Sequence, residues 1–385
     1  MRKEWLCALV LPVIGLGLAA EAQAVPAFAR KHDLACSQCH SAWPLLNKFG
    51  RTFKENGYKL DRERPAEPDP DEVVIDEKLS LPRSLPVSFR YQGRPFEKRK
   101  DDDGFRMRVA HELELQVTGS ASHDYSYFIN IESEEEHEWA VELGDMVGGW
   151  HPRAEANLLL GWGPLMFADG YNAFTSRRLT WDRAAPVNTG FQSGYRFRDP
   201  TQFISFYGRA SNLYYNVAVG TGRDDVLGED NKDYFVRAAY DLPAGMSVGA
   251  FSLIGESELS ADPERIQNFD RTGVDFQIDY RGFSANALWY RADEETASTL
   301  VAQANDAWYL QAHYATRTPI SLVPLVRFES VESNDGVDAT KTATVGLIAY
   351  LRGNLNVSLE HAWQTTVPAG REKTYRTAIL VMFGL

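Results

Sequence analysis

Short stretches of alternating apolar and polar residues fill the chain from residue 84 to its end, and they limit it to β-rich folds. Residues 105–117 are typical, because alternate side chains are apolar except for His111 while those between them are mostly charged or amidated. Successive residues of a strand point to opposite faces of its sheet. A soluble β-sandwich also alternates, but its inner face has to stay dry. We therefore expect an all-β outer-membrane barrel with an apolar face toward lipid and a polar face toward a wet lumen.

Sixteen such stretches predict about 16 antiparallel strands, and an even number is the rule for bacterial single-chain barrels. They lie at 84–92, 105–117, 125–132, 138–147, 154–162, 200–207, 212–220, 233–241, 246–254, 272–281, 283–291, 306–316, 321–330, 342–351, 355–365 and 375–385. The barrel is accordingly predicted to occupy residues 84–385.

The connections between these stretches alternate in length. We place the C-terminus in the periplasm and count the connections backward from it. The short turns are then 352–354, 317–319, 281–282, 242–244 and 209–211. The longer connections, which alternate with them, are near 221–232, 255–271, 292–305, 331–341 and 366–374. Outer-membrane barrels have short periplasmic turns and long extracellular loops. The rhythm therefore favours a barrel over a sandwich.

One connection, residues 163–199, is much longer than the others. We expect it to fold into the lumen as a constriction or to lie over it as a lid. Arg177 and Arg178 would line the constriction in the first case and face solvent in the second.

Cys36, Cys39 and His40 form the sequence C-x-x-C-H, the attachment signature of c-type haem. Each thiol can add to one vinyl group of the same haem, and His40 can serve as the proximal iron ligand. A redox-active cysteine pair would sit near a βαβ pattern, and a zinc site would need further Cys or His partners nearby. Neither context is present, so the sequence predicts one covalently bound haem c.

The start of the chain agrees with haem attachment outside the cytoplasm. Residues 1–24 have the basic, apolar and A-x-A regions of a secretory signal peptide. Its removal would leave Cys36 and Cys39 as the only cysteines. The net charge of −13 excludes a nucleic-acid partner by charge.

Residues 25–60 are predicted to form the haem segment, which is too short to bury a core alone. Leu45 or Leu46, Phe49 and Phe53 recur at helical spacing and would cover the haem. Residues 61–83 are charged and rich in proline, which is typical of an acidic linker with little regular structure.

Within residues 24–58, four elements resemble the fused monohaem cytochrome–porin family of iron-oxidising bacteria. The matching elements are 24–30, 36–40, 46–51 and 56–58. The resemblance implies a barrel of about sixteen strands that acts as an outer-membrane iron-oxidising c-type cytochrome. Electrons would pass from an extracellular donor, Fe(II), to a periplasmic cytochrome or other soluble electron carrier. The haem segment would lie on the periplasmic side or in the lumen.

Two other functions stay open at this point. One is a solute-selective porin with a structural or sensory haem, and the other is a soluble periplasmic cytochrome with a β-sandwich partner. The distal haem ligand is unknown, with His32, Met166 and His313 as candidates. The acidic stretches 101–103 and 132–138 would either collect Fe(II) or be solvated loops.

Overall fold

The computed structural model describes residues 27–60, 72–76, 80–83, 86–100, 102–121, 124–174, 178–222, 231–259, 262–296, 299–316, 320–334 and 336–385. Its N-terminal part contains α1 (Ala27–His32), α2 (Cys36–Cys39), β1 (His40–Ala42), β2 (Leu45–Leu46) and α3 (Lys48–Glu55). We call residues 27–60 the plug segment. None of the described helices has the length and apolar character needed to cross a membrane.

The predicted linker is not wholly irregular. Strands β3 (Glu72–Val74) and β4 (Ser80–Pro82) form a small antiparallel ladder within it. The predicted signal peptide, residues 1–24, lies outside the described residues.

Sixteen antiparallel strands form one closed barrel. In chain order they are β5 (Val87–Arg99), β6 (Arg106–Ala121), β7 (Tyr125–Glu134), β8 (Val141–Arg153), β9 (Ala156–Gly163), β10 (Thr201–Ala210), β11 (Leu213–Thr221), β12 (Lys232–Asp241), β13 (Met246–Leu259), β14 (Asp262–Tyr280), β15 (Phe283–Glu295), β16 (Ala302–Tyr314), β17 (Ser321–Ser333), β18 (Asp338–Arg352), β19 (Leu355–Thr366) and β20 (Tyr375–Gly384). β20 pairs with β5 and closes the wall. The predicted fold class and the sixteen strands are confirmed.

The two faces of the wall follow the predicted alternation. In β12, Tyr234, Val236 and Tyr240 are exposed on the outside, whereas Asp233 and Arg237 are buried on the inside. An apolar exterior around a polar interior is the arrangement that a barrel in lipid requires.

The two ends of the barrel differ. The end at which Arg281 and Gly282 connect β14 to β15 carries the short connections, and we call it the turn end. The opposite end is called the loop end. There the strands are longer than expected: the predicted connection 255–271 is largely a continuation of β13 and β14, paired from Gly255 with Phe269 outward.

His111 is a correction to the prediction. His111 was expected on the lipid face, but it is only 2% exposed and lies on the lumen side of the wall. The ladder between β5 and β6 shifts register between Gln92 and Arg94, whose partners are Glu112 and Arg108. Such a bulge reverses the alternation, so His111 and Glu112 both point inward.

Most of the long connection predicted at 163–199 is described, as residues 164–174 and 178–200, and these residues pack inside the barrel; we call them the inward loop. They include a short helix, α4 (Ala185–Asn188). Phe174 of this loop contacts Phe251 of the wall with ring centroids 4.7 Å apart, and Phe197 contacts Tyr290 at 5.1 Å. Buried aromatic packing of this kind fixes the loop against β10–β16. The part of the lumen that the inward loop leaves open is lined by polar side chains and lies along β5–β8.

Candidate functional site

The plug segment lies at the turn end of the barrel. The backbone N–H of Ala27 donates to Ser88 Oγ at 2.8 Å, and the hydroxyl of Tyr350 donates to the carbonyl oxygen of Trp43 at 2.7 Å. Ser88 and Tyr350 belong to strands β5 and β18 close to their turn ends. The segment therefore touches the wall on more than one side.

The predicted haem residues lie together on a short turn of helix. Cys36 and Cys39 are the first and last residues of α2, and His40 follows directly. Both cysteines are free thiols. Burial, with a contribution from Cys39, raises the pKa of Cys36, and burial raises the pKa of Cys39. Two reduced thiols and an adjacent imidazole are the donor set that covalent haem attachment needs.

Asn47 holds this turn against the start of α3. Its side-chain oxygen caps the helix by accepting from the N–H of Gly50 at 3.0 Å. Its side-chain amide donates to the carbonyl oxygen of Gln38 at 2.8 Å, and its backbone N–H donates to that of Cys39 at 2.9 Å. One residue thus fixes both the helix end and the C-x-x-C-H turn.

The two phenylalanines of helix α3 that were predicted to cover the haem differ in exposure. Phe53 is 7% exposed but Phe49 is 43% exposed. Arg51 and Glu55 are buried instead, because the wall supplies charged partners for them.

An aromatic shell borders the predicted haem residues. Phe28 stacks on Tyr58 with ring centroids 5.1 Å apart and meets the edge of Phe53 at 4.9 Å. His32 lies 5.7 Å from the Phe53 ring. An apolar shell beside two thiols and a histidine fits a haem, because it would cover the flat faces of the macrocycle and exclude water.

Two cavities meet at the predicted haem residues. One, of about 900 Å³, runs along β5–β8 from Cys36, Cys39 and His40 to Glu136 and His137 near the loop end. This volume falls within the range of about 300–1,000 Å³ typical of cofactor and ligand sites. The other, of about 1030 Å³, lies at the turn end and is also lined by Cys36 and His40. We call them the outer cavity and the inner cavity.

A buried ion network attaches α3 to the wall. Arg209 contacts both carboxylate oxygens of Glu55 at 2.7 and 2.9 Å and reaches Asp241 at 2.9 Å. Arg51 also pairs with Asp241, at 3.1 Å, and the hydroxyl of Tyr171 donates to Asp241 at 2.9 Å. Charge-assisted bonds of this length are among the stronger polar contacts in proteins.

The inward loop joins the plug segment from the other side. The N–H of Leu46 donates to Asn172 Oδ1 at 3.2 Å, and the amide nitrogen of Asn172 donates back to the carbonyl oxygen of Leu46 at 2.8 Å. Lys54 donates to the carbonyl oxygens of Phe167 and Asp169. Plug segment, inward loop and wall therefore form one packed unit.

The candidates for the distal ligand differ in position. His32 and Met166 line the outer cavity together with Cys36 and His40. His313 faces the lumen from β16 as predicted and is buried, but it lines neither cavity.

The arginines predicted at the constriction are only partly described. Arg178 lines the outer cavity, whereas Arg177 lies outside the described residues. Burial and the neighbouring guanidinium groups of Arg178 and Arg198 lower the pKa of Arg183 to about 9.

The described residues of the two acidic stretches, 102–103 and 132–138, show no grouping that would hold a metal ion. Glu132, Glu134 and Glu136 line the outer cavity, but Glu136 accepts from Arg108 at 2.5 Å. Within the described part of the chain, no three His, Cys, Asp or Glu side chains are grouped closely enough to hold a metal ion.

Sequence reasoning missed the residues of the ion network. Arg209 was assigned to a turn, yet it belongs to β10 and points inward. Asp241 is the last residue of β12, at the turn end, and it is also buried inside the barrel. Charged residues at inward positions close to the ends of strands were the available signal.

A closed barrel of sixteen strands with an inward loop is the architecture of outer-membrane porins. The chain belongs to the Gram-negative porin family, whose match covers residues 143–369. That match does not include the plug segment. No curated protein matches the sequence.

Solved porin structures are similar in fold. OmpF of Salmonella typhi, in a complex with daunomycin, has a TM-score of 0.60 at 11% identity, covering 82% of this chain and 100% of that chain. The anion-selective porin of Comamonas acidovorans has a TM-score of 0.58 at 10% identity, covering 78% and 99%. OmpT of Vibrio cholerae, in its trimer form, has a TM-score of 0.58 at 10% identity with the same coverage.

Proposed function

We propose that this porin-family barrel is an outer-membrane electron conduit. It passes electrons from an extracellular donor, Fe(II), through one covalently bound haem c to a periplasmic cytochrome or other soluble electron carrier. Cys36 and Cys39 form the thioether links and His40 is the proximal ligand. The turn end faces the periplasm, as in other outer-membrane barrels.

The observation that carries this proposal is the position of the C-x-x-C-H turn between the two cavities. Cys36 and His40 line both the outer and the inner cavity. A redox group attached there would border both cavities, one of which extends toward each end of the barrel. A pore built only for solutes has no need of this arrangement.

The thickness of the bilayer also supports a haem that is reached from both ends of the barrel. The hydrocarbon core of a bilayer is about 30 Å thick, which is much more than the width of one haem. Donor and acceptor therefore have to approach the haem from opposite ends. In this proposal the outer cavity receives a small donor, and the inner cavity, of about 1030 Å³, is the side from which a periplasmic carrier approaches.

The residues of the chain position the haem and keep it dry. When bound, haem c supplies a reversible one-electron carrier whose potential depends on its axial ligands and surroundings. Asn47 and Gly50 fix the turn that presents the thiols and His40. Phe28 and Phe53 exclude water from the site, and the ion network of Glu55 and Arg209 keeps the plug segment from moving in the lumen.

A solute-selective porin with a structural or sensory haem is the second candidate. Two observations favour it: the membership in the porin family, and an outer cavity lined by charged side chains from both the wall and the inward loop. In this case small solutes would cross the barrel past the plug segment.

The two candidates differ in what the purified haem protein does. If the protein is a conduit, Fe(II) should reduce the purified haem. Reduction is measured by the sharpened visible absorption bands of ferrous haem. Dithionite, which should reduce the haem fully under the same conditions, is the positive control. Reduction by dithionite but not by Fe(II) would rule out iron as the donor. Swelling of liposomes that contain the protein, in the presence of small solutes, would favour the porin.

A further inference from the structure

Phe49 of helix α3 is an exposed aromatic residue that the predicted haem site does not use. It is 43% exposed and lines neither the outer nor the inner cavity. Arg51 and Glu55, which bond to the wall, lie on the other side of the helix at about 3.6 residues per turn. Lys54 bonds to the inward loop. The exposed part of Phe49 therefore faces the solvent at the turn end.

The inner cavity brings the predicted haem residues close to the same end of the barrel. It is lined by Cys36, by the apolar residues Leu34 and Val323, and by Arg30 and Arg281. Both arginines are exposed. A molecule that enters the inner cavity from the turn end therefore meets two guanidinium groups, apolar side chains and a thiol to which the haem would be attached.

The turn end carries basic charge, although the chain as a whole has a net charge of −13. In the described part of the plug segment and the short connections, the exposed basic residues outnumber the exposed acidic ones. They are Arg30, Lys48, Arg153 and Arg281, against Asp33 and Glu155. In the described part of the linker, exposed Arg83 and Asp76 balance each other. We call Phe49 and the first four basic residues the docking face.

An apolar centre with a polar rim is typical of the surfaces through which proteins associate. Contacts between redox partners are small, often below about 1,200 Å² in total, so one exposed aromatic ring and a few charges can supply much of one. Opposite charge on the partner steers the two proteins together. The docking face therefore fits a protein whose contact surface is acidic.

We propose that the docking face binds a soluble electron carrier with an acidic contact surface. An apolar part of the carrier packs on Phe49, and its carboxylates lie beside Lys48, Arg30, Arg153 and Arg281. This inference rests on the proposed function, because it specifies the surface chemistry of the periplasmic carrier that serves the same haem.

Mitochondrial cytochrome c provides a probe in two forms of similar shape. The native protein is strongly basic, and succinylation of its lysines makes it acidic. Binding of each form is measured by thermophoresis at low ionic strength, with the purified full-length haem protein in nanodiscs of neutral lipid, both proteins oxidised and no Fe(II) present. We expect saturable binding of the succinylated form, at least about tenfold tighter than that of the native form. It should weaken as salt screens the charges.

Two pairs of variants locate the contact. Arg281→Gln should weaken binding of the succinylated form by about twofold to fivefold, the range for one exposed ion pair. Its control, Arg291→Gln, removes an arginine with a side chain 53% exposed near the loop end of β15 and should bind like the original protein. Phe49→Ser should weaken binding by at least about fivefold, whereas Phe105→Ser, at the loop end and 58% exposed, should not.

Three results would overturn the proposal: no saturable binding of the succinylated form, equal binding of the two forms, or affinities of Arg281→Gln and Phe49→Ser equal to those of their controls. Vesicles of phosphatidylglycerol test anionic lipid as the occupant. If they displace the cytochrome and bind more weakly to Arg281→Gln and Phe49→Ser, the face is a lipid contact and the proposal fails.

The docking assay is separate from the test of the conduit, because no electron moves in it. Absence of docking leaves the reduction of the haem by Fe(II) unaffected. A haem that Fe(II) does not reduce contradicts the proposed function and leaves the measured affinities unchanged.

Discussion

The backbone of Gly50 packs so closely on the peptide group of Cys39 that a Cβ atom at position 50 would overlap the carbonyl oxygen of Cys39. Helix α3 can therefore approach the C-x-x-C-H turn only because residue 50 is glycine. Gly50→Ala should force the two apart and weaken the plug segment by about 1–3 kcal/mol, the usual cost of overpacking. Limited proteolysis with mass spectrometry should then show faster cleavage within residues 33–60.

Gly104→Ala is the matched control for this substitution, because among the described residues no atom beyond its two chain neighbours lies within 4 Å of a Cβ at that position. Its cleavage pattern should equal that of the original protein. If Gly50→Ala is also indistinguishable from the original, the close packing at Cys39 is not important for the plug segment.

Replacing both Cys36 and Cys39 by serine should abolish covalent haem attachment. The barrel wall should still fold, since its strands pair independently of the two thiols. Haem staining of denaturing gels measures the first effect, and the change of gel mobility on heating, a property of folded barrels, measures the second. Covalent haem in the double variant would exclude these cysteines as the attachment site.

Glu55→Gln should release the plug segment from the wall. The substitution leaves Arg209 without its closest charged partner in a buried network, and removing one partner of a buried pair typically costs about 3–5 kcal/mol. Hydrogen exchange of residues 48–56 should increase strongly while exchange in the barrel strands does not.

Asp293→Asn is the comparison for Glu55→Gln. It breaks the exposed ion pair of Arg291 and Asp293, both 53% exposed, and such surface pairs contribute only about 0–1 kcal/mol. Equal exchange in the two variants would mean that the network does not hold the segment.

Deleting residues 27–60 should open the barrel. The plug segment lies at the turn end, whereas the inward loop packs on β10–β16 and leaves space along β5–β8. We expect single-channel conductance in planar bilayers to rise several-fold above that of the full-length protein, with Arg291→Gln unchanged from it. Equal conductance with and without the segment would show that it does not obstruct the lumen.

The wall of the barrel was predictable because its signal is local. Exposed Tyr234 and Val236 alternate with buried Asp233 and Arg237 over a few residues of sequence, and this alternation identifies a strand without reference to its neighbours. The loop ends were less predictable. There the ladder continues beyond the apolar stretches, as between Gly255 and Phe269, because backbone hydrogen bonds do not need apolar side chains.

The interior of the barrel was not predictable to the same extent. Arg51 and Asp241 are 190 positions apart in the chain, and no local pattern indicates such a pairing. The bulge that turns His111 inward depends on the register with β5, which a single strand does not encode. The C-x-x-C-H motif was evident from sequence, and its role in binding haem stays a prediction.

Electron transfer across a sealed membrane tests the central claim most directly. Liposomes containing the haem protein would enclose an oxidised soluble c-type cytochrome, and Fe(II) held by a chelator that cannot cross the bilayer would be added outside. The conduit predicts that the enclosed cytochrome becomes reduced with the original protein and not with the double cysteine variant. No reduction by the original protein, or equal reduction by both, would contradict it.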